Sequence, residues 1–179
     1  MSEQNASNSA KAPTKVRVAC FEDVVWIRAE GRGNYQSSGP IRKFVQAMIQ
    51  RGYQRYVVDL AACDHMDSTF MGTLAGLSQS IGTLSHGTLT VINVNPRNIE
   101  LLENLGLHLL FIVEALGDPQ RIPAEVGAEL MELPMMGNPE KEIVLSAHEA
   151  LVAANSDNAS RFKDVVEYLK KESETQPAG

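Results

Sequence analysis

Positions 64 to 69 read Asp64, His65, Met66, Asp67, Ser68 and Thr69, a run of acids, an imidazole and hydroxyls that three chemistries could use. Paired carboxylates at Asp64 and Asp67 suit acid–base work, yet at a helix start such acids more often cap the N-terminus. His65, just ahead of Ser68, could serve as its base. The strained GxSxG elbow of a serine hydrolase is missing, however, because Thr69 and Phe70 follow Ser68. The third chemistry is phosphate acceptance. A phosphate on a hydroxyl at a helix N-terminus meets unpaired backbone N–H groups and the favourable end of the helix dipole, and it adds close to two negative charges.

The surrounding pattern sets up that geometry. Tyr56 to Leu60 is an apolar strand, Asp64 to Asp67 a polar turn, and from Ser68 the apolar residues switch to helical spacing at Phe70, Leu74, Leu77, Ile81 and Leu84. Asp67 or Ser68 supplies the N-cap oxygen. Gly72 and Gly76 lie on this helix, where each costs about 1 kcal/mol relative to alanine. Their presence implies that a neighbouring helix, the sheet or a protein partner comes close to the backbone there.

The segment MDSTFMG resembles the motif of the STAS family, the anti-anti-sigma factor domains in which an apolar residue precedes DSSGLG. Asp67, Ser68 and Gly72 fall on the family's Asp, phosphorylated Ser and last Gly, and Met71 on its Leu. Thr69 replaces a second Ser, and Phe70 replaces a Gly. The resemblance implies a STAS-like mixed β-sheet with helices packed against it, and a protein that is an enzyme's substrate rather than an enzyme. It implies an anti-sigma factor antagonist that binds an anti-sigma serine/threonine kinase while Ser68 is unmodified, releases it on phosphorylation, and is reset by a PP2C-type phosphatase. Ser68 is the expected acceptor, with Thr69 as the alternative. Asn34, Tyr35, Asp67, Ser68, Thr69, Phe70, Met71 and Gly72 are the expected partner-binding residues, Phe70 standing beside the modification site.

The rest of the chain fits one domain with an appendage. Residues 1–13 are polar and read as a disordered leader. The expected domain, 14–117, runs strand, strand, helix, strand, helix, strand, helix, strand. Val16 to Cys20 and Val24 to Ile27 form a hairpin, and Gly31 and Gly33 lie in a loop that lacks the third glycine of a dinucleotide fingerprint. Ser38 or Gly39 is expected to cap the next helix, with Pro40 at its first position. After the Ser68 helix come a strand at Leu89 to Ile92, a helix capped by Asn95, and a last strand at Phe111 to Glu114. Prolines punctuate a linker over 118–138 that has room for a short helix around Val126 to Leu130. A helical hairpin spans 139–172 and a frayed tail 173–179. Two such helices bury little alone, so they dock on the parent domain, pair two subunits as a homo-oligomer, or capture a partner.

Composition narrows the function classes. With 22 acidic against 16 basic residues the net charge is −6, so counterion release on nucleic acid has little to drive it. No apolar run approaches the roughly 20 residues that span a bilayer, and the N-terminus lacks a signal-peptide core, so a cytoplasmic protein is expected. His65, His86, His108 and His148 show no metal-ligand spacing, and no metal or other cofactor is expected. Cys20 and Cys63 read as small buried hydrophobes. A STAS scaffold or assembly protein that is not switched at Ser68 is the alternative, and a lipid- or small-molecule-handling STAS subunit a weaker one.

Overall fold

A computed structural model describes residues 12–117 and 122–175. Most of the expected leader and the end of the tail lie outside the described residues. Strands β1 (Lys15–Phe21) and β2 (Val24–Gly33) pair antiparallel around Glu22 and Asp23, with Glu22 at φ 53°. Helix α1 (Tyr35–Gln50), strand β3 (Arg55–Met66), helix α2 (Ser68–Gly82), strand β4 (Thr88–Val94), helix α3 (Pro96–Asn104) and strand β5 (Ile112–Ala115) follow. The order across the sheet is β5-β4-β3-β2-β1-β6. The pairs from β2 to β5 run parallel and the two involving β1 antiparallel, so the sheet is mixed.

Alternation along the strands builds the core. Val16 and Val18 of β1 and Val25, Ile27 and Ala29 of β2 face one cluster, which α1 fills with Ile41, Val45 and Met48 and α2 with Phe70, Leu74, Leu77 and Ile81. Each large side chain buried this way stabilises by about 1.5–3 kcal/mol. Between those strand residues, Trp26 and Arg28 point to the opposite face. There Arg28 Nε donates to Asp59 Oδ2 at 2.8 Å, while Asn93 Nδ2 and the Ala61 N–H donate to Asp59 Oδ1 at 2.9 and 3.0 Å. Asp59 is only 2% exposed, and these donors replace the water it loses.

Four expectations need correcting. The expected loop after Ile27 is strand as far as Gly33, and α1 starts at Tyr35, with Asn34 rather than Ser38 or Gly39 as its N-cap. Asn34 Oδ1 accepts from the Gln36 N–H, and Ser37 Oγ accepts from the Asn34 N–H, a reciprocal cap that leaves Pro40 inside the helix. The polar residues Asp64 and His65 are not a turn. They extend β3, where Arg32 pairs with His65 and Gly33 with Met66. The stretch expected to be a linker with a short helix has that helix as α4 (Ala124–Glu129) but also contributes an unexpected sixth strand, β6 (Met131–Glu132), which pairs with β1. Val126 is buried, and with Leu130 it lies over Trp26, Arg28 and Asp59.

The appendage is α5 (Lys141–Ala154) and α6 (Asp157–Glu174), and it docks on its own domain. Helix α2 is buried on every side from Thr69 to Ala75, because the sheet covers one face and α5 the other. A Cβ on Gly72 would lie 2.2 Å from the Ala147 carbonyl oxygen, and one on Gly76 3.7 Å from the Ala150 methyl. The neighbour that the glycine pair implied is therefore a helix of the same chain. Gly39 of α1 performs the same service for Met136 and Ile143. Asn158, 1% exposed, ties the hairpin down by donating to the Leu105 and Leu151 carbonyls at 3.0 and 2.8 Å.

Replacing Arg28 with alanine strands the Asp59 carboxylate without its counter-charge and should cost roughly 3 kcal/mol in urea unfolding. Gly72→Ala drives a methyl into the Ala147 carbonyl and should weaken hairpin docking by about 1–3 kcal/mol. Amide exchange should then rise in α5 and α6 and stay unchanged in β3 and β4; an unchanged α5 would contradict the close packing.

Candidate functional site

Two elements deliver Ser68 to its position. Strand β3 outruns its neighbour β4, with which it pairs only as far as Asp59, and continues along β2 to Met66. The Cys63 carbonyl there accepts from Asn95 Nδ2 and Asn98 Nδ2 at 3.1 and 3.0 Å, and the Asp67 N–H donates to the Gly33 carbonyl at 2.9 Å. The chain then turns into α2. Asp67, with extended φ and ψ, is the N-cap, and its Oδ1 accepts from the Phe70 N–H at 2.8 Å. Of the two cap candidates, the aspartate serves and Ser68 is the first helical residue.

Asp67 carries a cost that its neighbours partly offset. Burial pushes its carboxyl above the usual carboxylate range, against the pull of the Phe70 and Thr69 amides and of His148 and His65. The Phe70 amide at this helix end is thus already committed to a carboxylate.

The Ser68 side chain is half-buried and has a partner that the sequence did not suggest. Its Oγ lies 3.0 Å from Nε2 of His148, on α5. The other ring nitrogen, Nδ1, lies 2.7 Å from the Val144 carbonyl, which can only accept, so Nδ1 carries the proton. In the neutral imidazole Nε2 is then the acceptor, and the serine hydroxyl donates to it. The ring is 4% exposed and meets Phe162 of α6 edge-on, at a centroid distance of 5.3 Å. The histidine at Ser68 is therefore His148 and not His65. The available signal was its place beside Ala147 and Leu151 on the apolar side of α5, a polar residue where the stripe is otherwise aliphatic.

Serine next to imidazole is also the opening of a nucleophile and base. Here the base is oriented by its own helix carbonyl. The neighbouring cleft, about 200 Å³, is lined by Arg32, Gly33, Asn34, Tyr35, His65 and Asp67, and not by Ser68. Among the described residues no three His, Cys, Asp or Glu side chains converge as a metal site, and no helix is long and apolar enough to cross a membrane.

The remaining expected site residues separate into two groups. Asn34, Tyr35 and Asp67 come together around that cleft, although the Asn34 side chain is engaged in its cap. Thr69 is 7% exposed and Met71 5%, and Gly72 lies beneath α5. Phe70, expected beside the modification site, is 0% exposed instead. Its ring fills the space where Gly33 has no side chain. The aromatic that replaces the motif's glycine is thus a core residue, made room for by a glycine on β2.

Two solved structures share this architecture at low sequence identity. TM1081, a Thermotoga maritima protein described as a "putative anti-sigma factor antagonist", superposes with a TM-score of 0.52 at 19% identity, covering 62% of this chain and 92% of its own. The anti-sigma factor antagonist SpoIIAA in its unphosphorylated form gives 0.51 at 18% identity, covering 59% and 90%. No curated protein sequence matches the chain. The mixed sheet, the strand-to-helix junction at Ser68 and a match to the STAS domain over residues 15–118, more than half of the chain, place it together: the chain belongs to the STAS domain family.

Proposed function

We propose that the protein is a cytoplasmic anti-sigma factor antagonist that works as a phosphorylation-controlled partner switch. Unmodified, it binds an anti-sigma serine/threonine kinase; phosphorylated on Ser68, it lets go, and a PP2C-type phosphatase restores it. It acts as the substrate of an enzyme, with no cofactor of its own. The observation that carries this reading is the position of Ser68 as the first residue of α2, half-buried where its neighbour Thr69 is 7% exposed. Of the two adjacent residues Ser68 is the less buried, and its hydroxyl is held against His148 while α5 is seated. Its oxygen would attack the terminal phosphorus of ATP, ADP would leave, and the hydroxyl proton would pass to the kinase's base.

The release step follows from charge. A phosphate on Ser68 sits next to the Asp67 carboxylate, which already holds the Phe70 amide. The new dianion therefore meets a neighbour of like sign, and sealing it under a partner costs desolvation that basic side chains must offset. Arg32 and His65 are basic side chains that line the adjoining cleft. Asn34, Tyr35 and Asp67 complete the rim on which a partner would rest.

A scaffold reading finds support elsewhere on the surface. Edge strand β5 and the residues flanking it expose Leu109 at 78%, Ile112 at 56% and Leu116 at 62%, and an apolar open edge favours association of copies.

Incubation with a candidate anti-sigma kinase and ATP, followed by mass spectrometry, should place phosphate on Ser68 in the wild type and in Thr69→Ala and none in Ser68→Ala. Ser68→Asp should weaken kinase binding by about tenfold or more, or about 1.4 kcal/mol. Absence of transfer to either hydroxyl, with Ser68→Asp binding unchanged, would remove the switch. Under the scaffold reading, sedimentation shows an oligomer that Ile112→Lys dissociates; a monomer at all concentrations removes that reading.

A further inference from the structure

The hairpin lies on the face that a Ser68 switch has to present. Along α2, Ser68, Gly72 and Gly76 form a row at four-residue spacing, and each meets α5: Ser68 at His148, Gly72 at the Ala147 backbone, Gly76 at Ala150. We propose that α5 and α6 are a lid acting in cis on this row. Docked, the lid withholds Ser68 and the outer face of α2 from a kinase; a phosphate on Ser68 and the docked lid exclude one another. The proposal rests on the reading of Ser68 as phosphoacceptor and adds the gate through which it is reached.

Geometry makes the exclusion strict. A phosphoryl group on Oγ takes the place of the hydroxyl hydrogen, and it cannot fit between atoms held 3.0 Å apart. The His148 ring has no freedom to turn aside, because Nδ1 is bonded to Val144 and Phe162 closes its flank. Helix α5 cannot slide inward to make room either, since the Ala147 carbonyl is already against the Gly72 backbone. With Oγ aimed at His148 as it is, a phosphate therefore has to lift the helix as a whole.

The lid is also held by contacts that can be released without opening the sheet. Its buried residues on α5 are Ile143, Ala147, His148, Ala150 and Leu151, two of them alanines with little apolar area to lose. Its polar attachments lie near the surface: Arg42 donates to the Ser146 hydroxyl, and Lys43 pairs with Glu140 at 3.3 Å. Asn158 is the deeper anchor. Such a unit opens well below the global unfolding free energy, and a partner that needs it open binds more weakly in proportion to the closed population.

The test uses the full chain and needs no kinase. Phosphoserine is installed at position 68 by suppression of an amber codon, and in a control chain at Ser85, which is exposed beyond the far end of α2. Hydrogen exchange should rise about tenfold or more in α5 with phosphate at 68, and not with phosphate at 85, while β3 and β4 keep their protection. Equal or greater protection of α5 with phosphate at 68 would mean that His148 receives the phosphate, and the lid is overturned. A second arm covers the case in which that chain does not fold. In Ser68→Cys, iodoacetamide labelling of the new thiol should speed up about tenfold or more when Ala147→Glu is added to pry α5 away, with buried Cys63 as the check on the core. Equal rates overturn the lid. Failure of any kinase to modify Ser68 would remove the switch reading and leave both measurements interpretable.

Discussion

The approach of α5 to the backbone of α2 is the contact around which the site is arranged. Two helices normally keep a side-chain layer between them, and their axes stay 8–10 Å apart according to its bulk. Here that layer is absent at Gly72, and the Ala147 carbonyl occupies the space. Tight packing of this kind has few intermediate positions: the helices are together or they are apart. Ser68 stands one turn before Gly72 in the same row, so the environment of its hydroxyl is decided by whether α5 is seated. The glycines weaken α2 as an isolated helix, and packing on both faces offsets that loss.

The junction ahead of α2 shows how position is secured without a rigid loop. Strand β3 runs beyond the end of its pairing with β4, where a free edge would ordinarily fray. The side chains of Asn95 and Asn98 close over the Cys63 carbonyl, and Gly33 accepts the Asp67 amide. Asparagine amides thus do for this overhang what a neighbouring strand does for the rest of the sheet. Phe70 then wedges against Gly33 and fixes the first turn of the helix. A residue that breaks the family motif on paper is accommodated by a glycine on another strand, which is a pairing that no reading of MDSTFMG alone can contain.

How much of this was legible follows from the range of each signal. The periodicity of α2, the Asn95–Pro96 helix start and the β1–β2 turn are local, and the sequence patterns place them correctly. Pro40 misleads because a proline is so often first in a helix; Asn34 and Ser37 had already built a cap upstream. Asp64 and His65 look like turn residues because their polarity is judged apart from the strand β2 that pairs with them. Strand β6 is two residues long and exposed, with no pattern to detect. The pairing of Ser68 with His148 spans 80 positions and joins the domain to its appendage, so only the docked fold brings it into being. What the sequence did carry was its shadow: two glycines where a helix would not choose them.

The electrostatics at the helix start favour a site that holds a hydroxyl easily and a phosphate poorly. Helix N-termini bind anions because their first amides are free. In this chain Asp67 has taken the Phe70 amide, and burial has raised its carboxyl in spite of it. A dianion one residue further on faces a neighbour of like sign. The Ser68 hydroxyl, by contrast, adds no charge where it meets His148 Nε2. The same cap that makes α2 start at Ser68 therefore puts a carboxylate beside the position where α2 and α5 meet, a place that suits an uncharged side chain better than an anion.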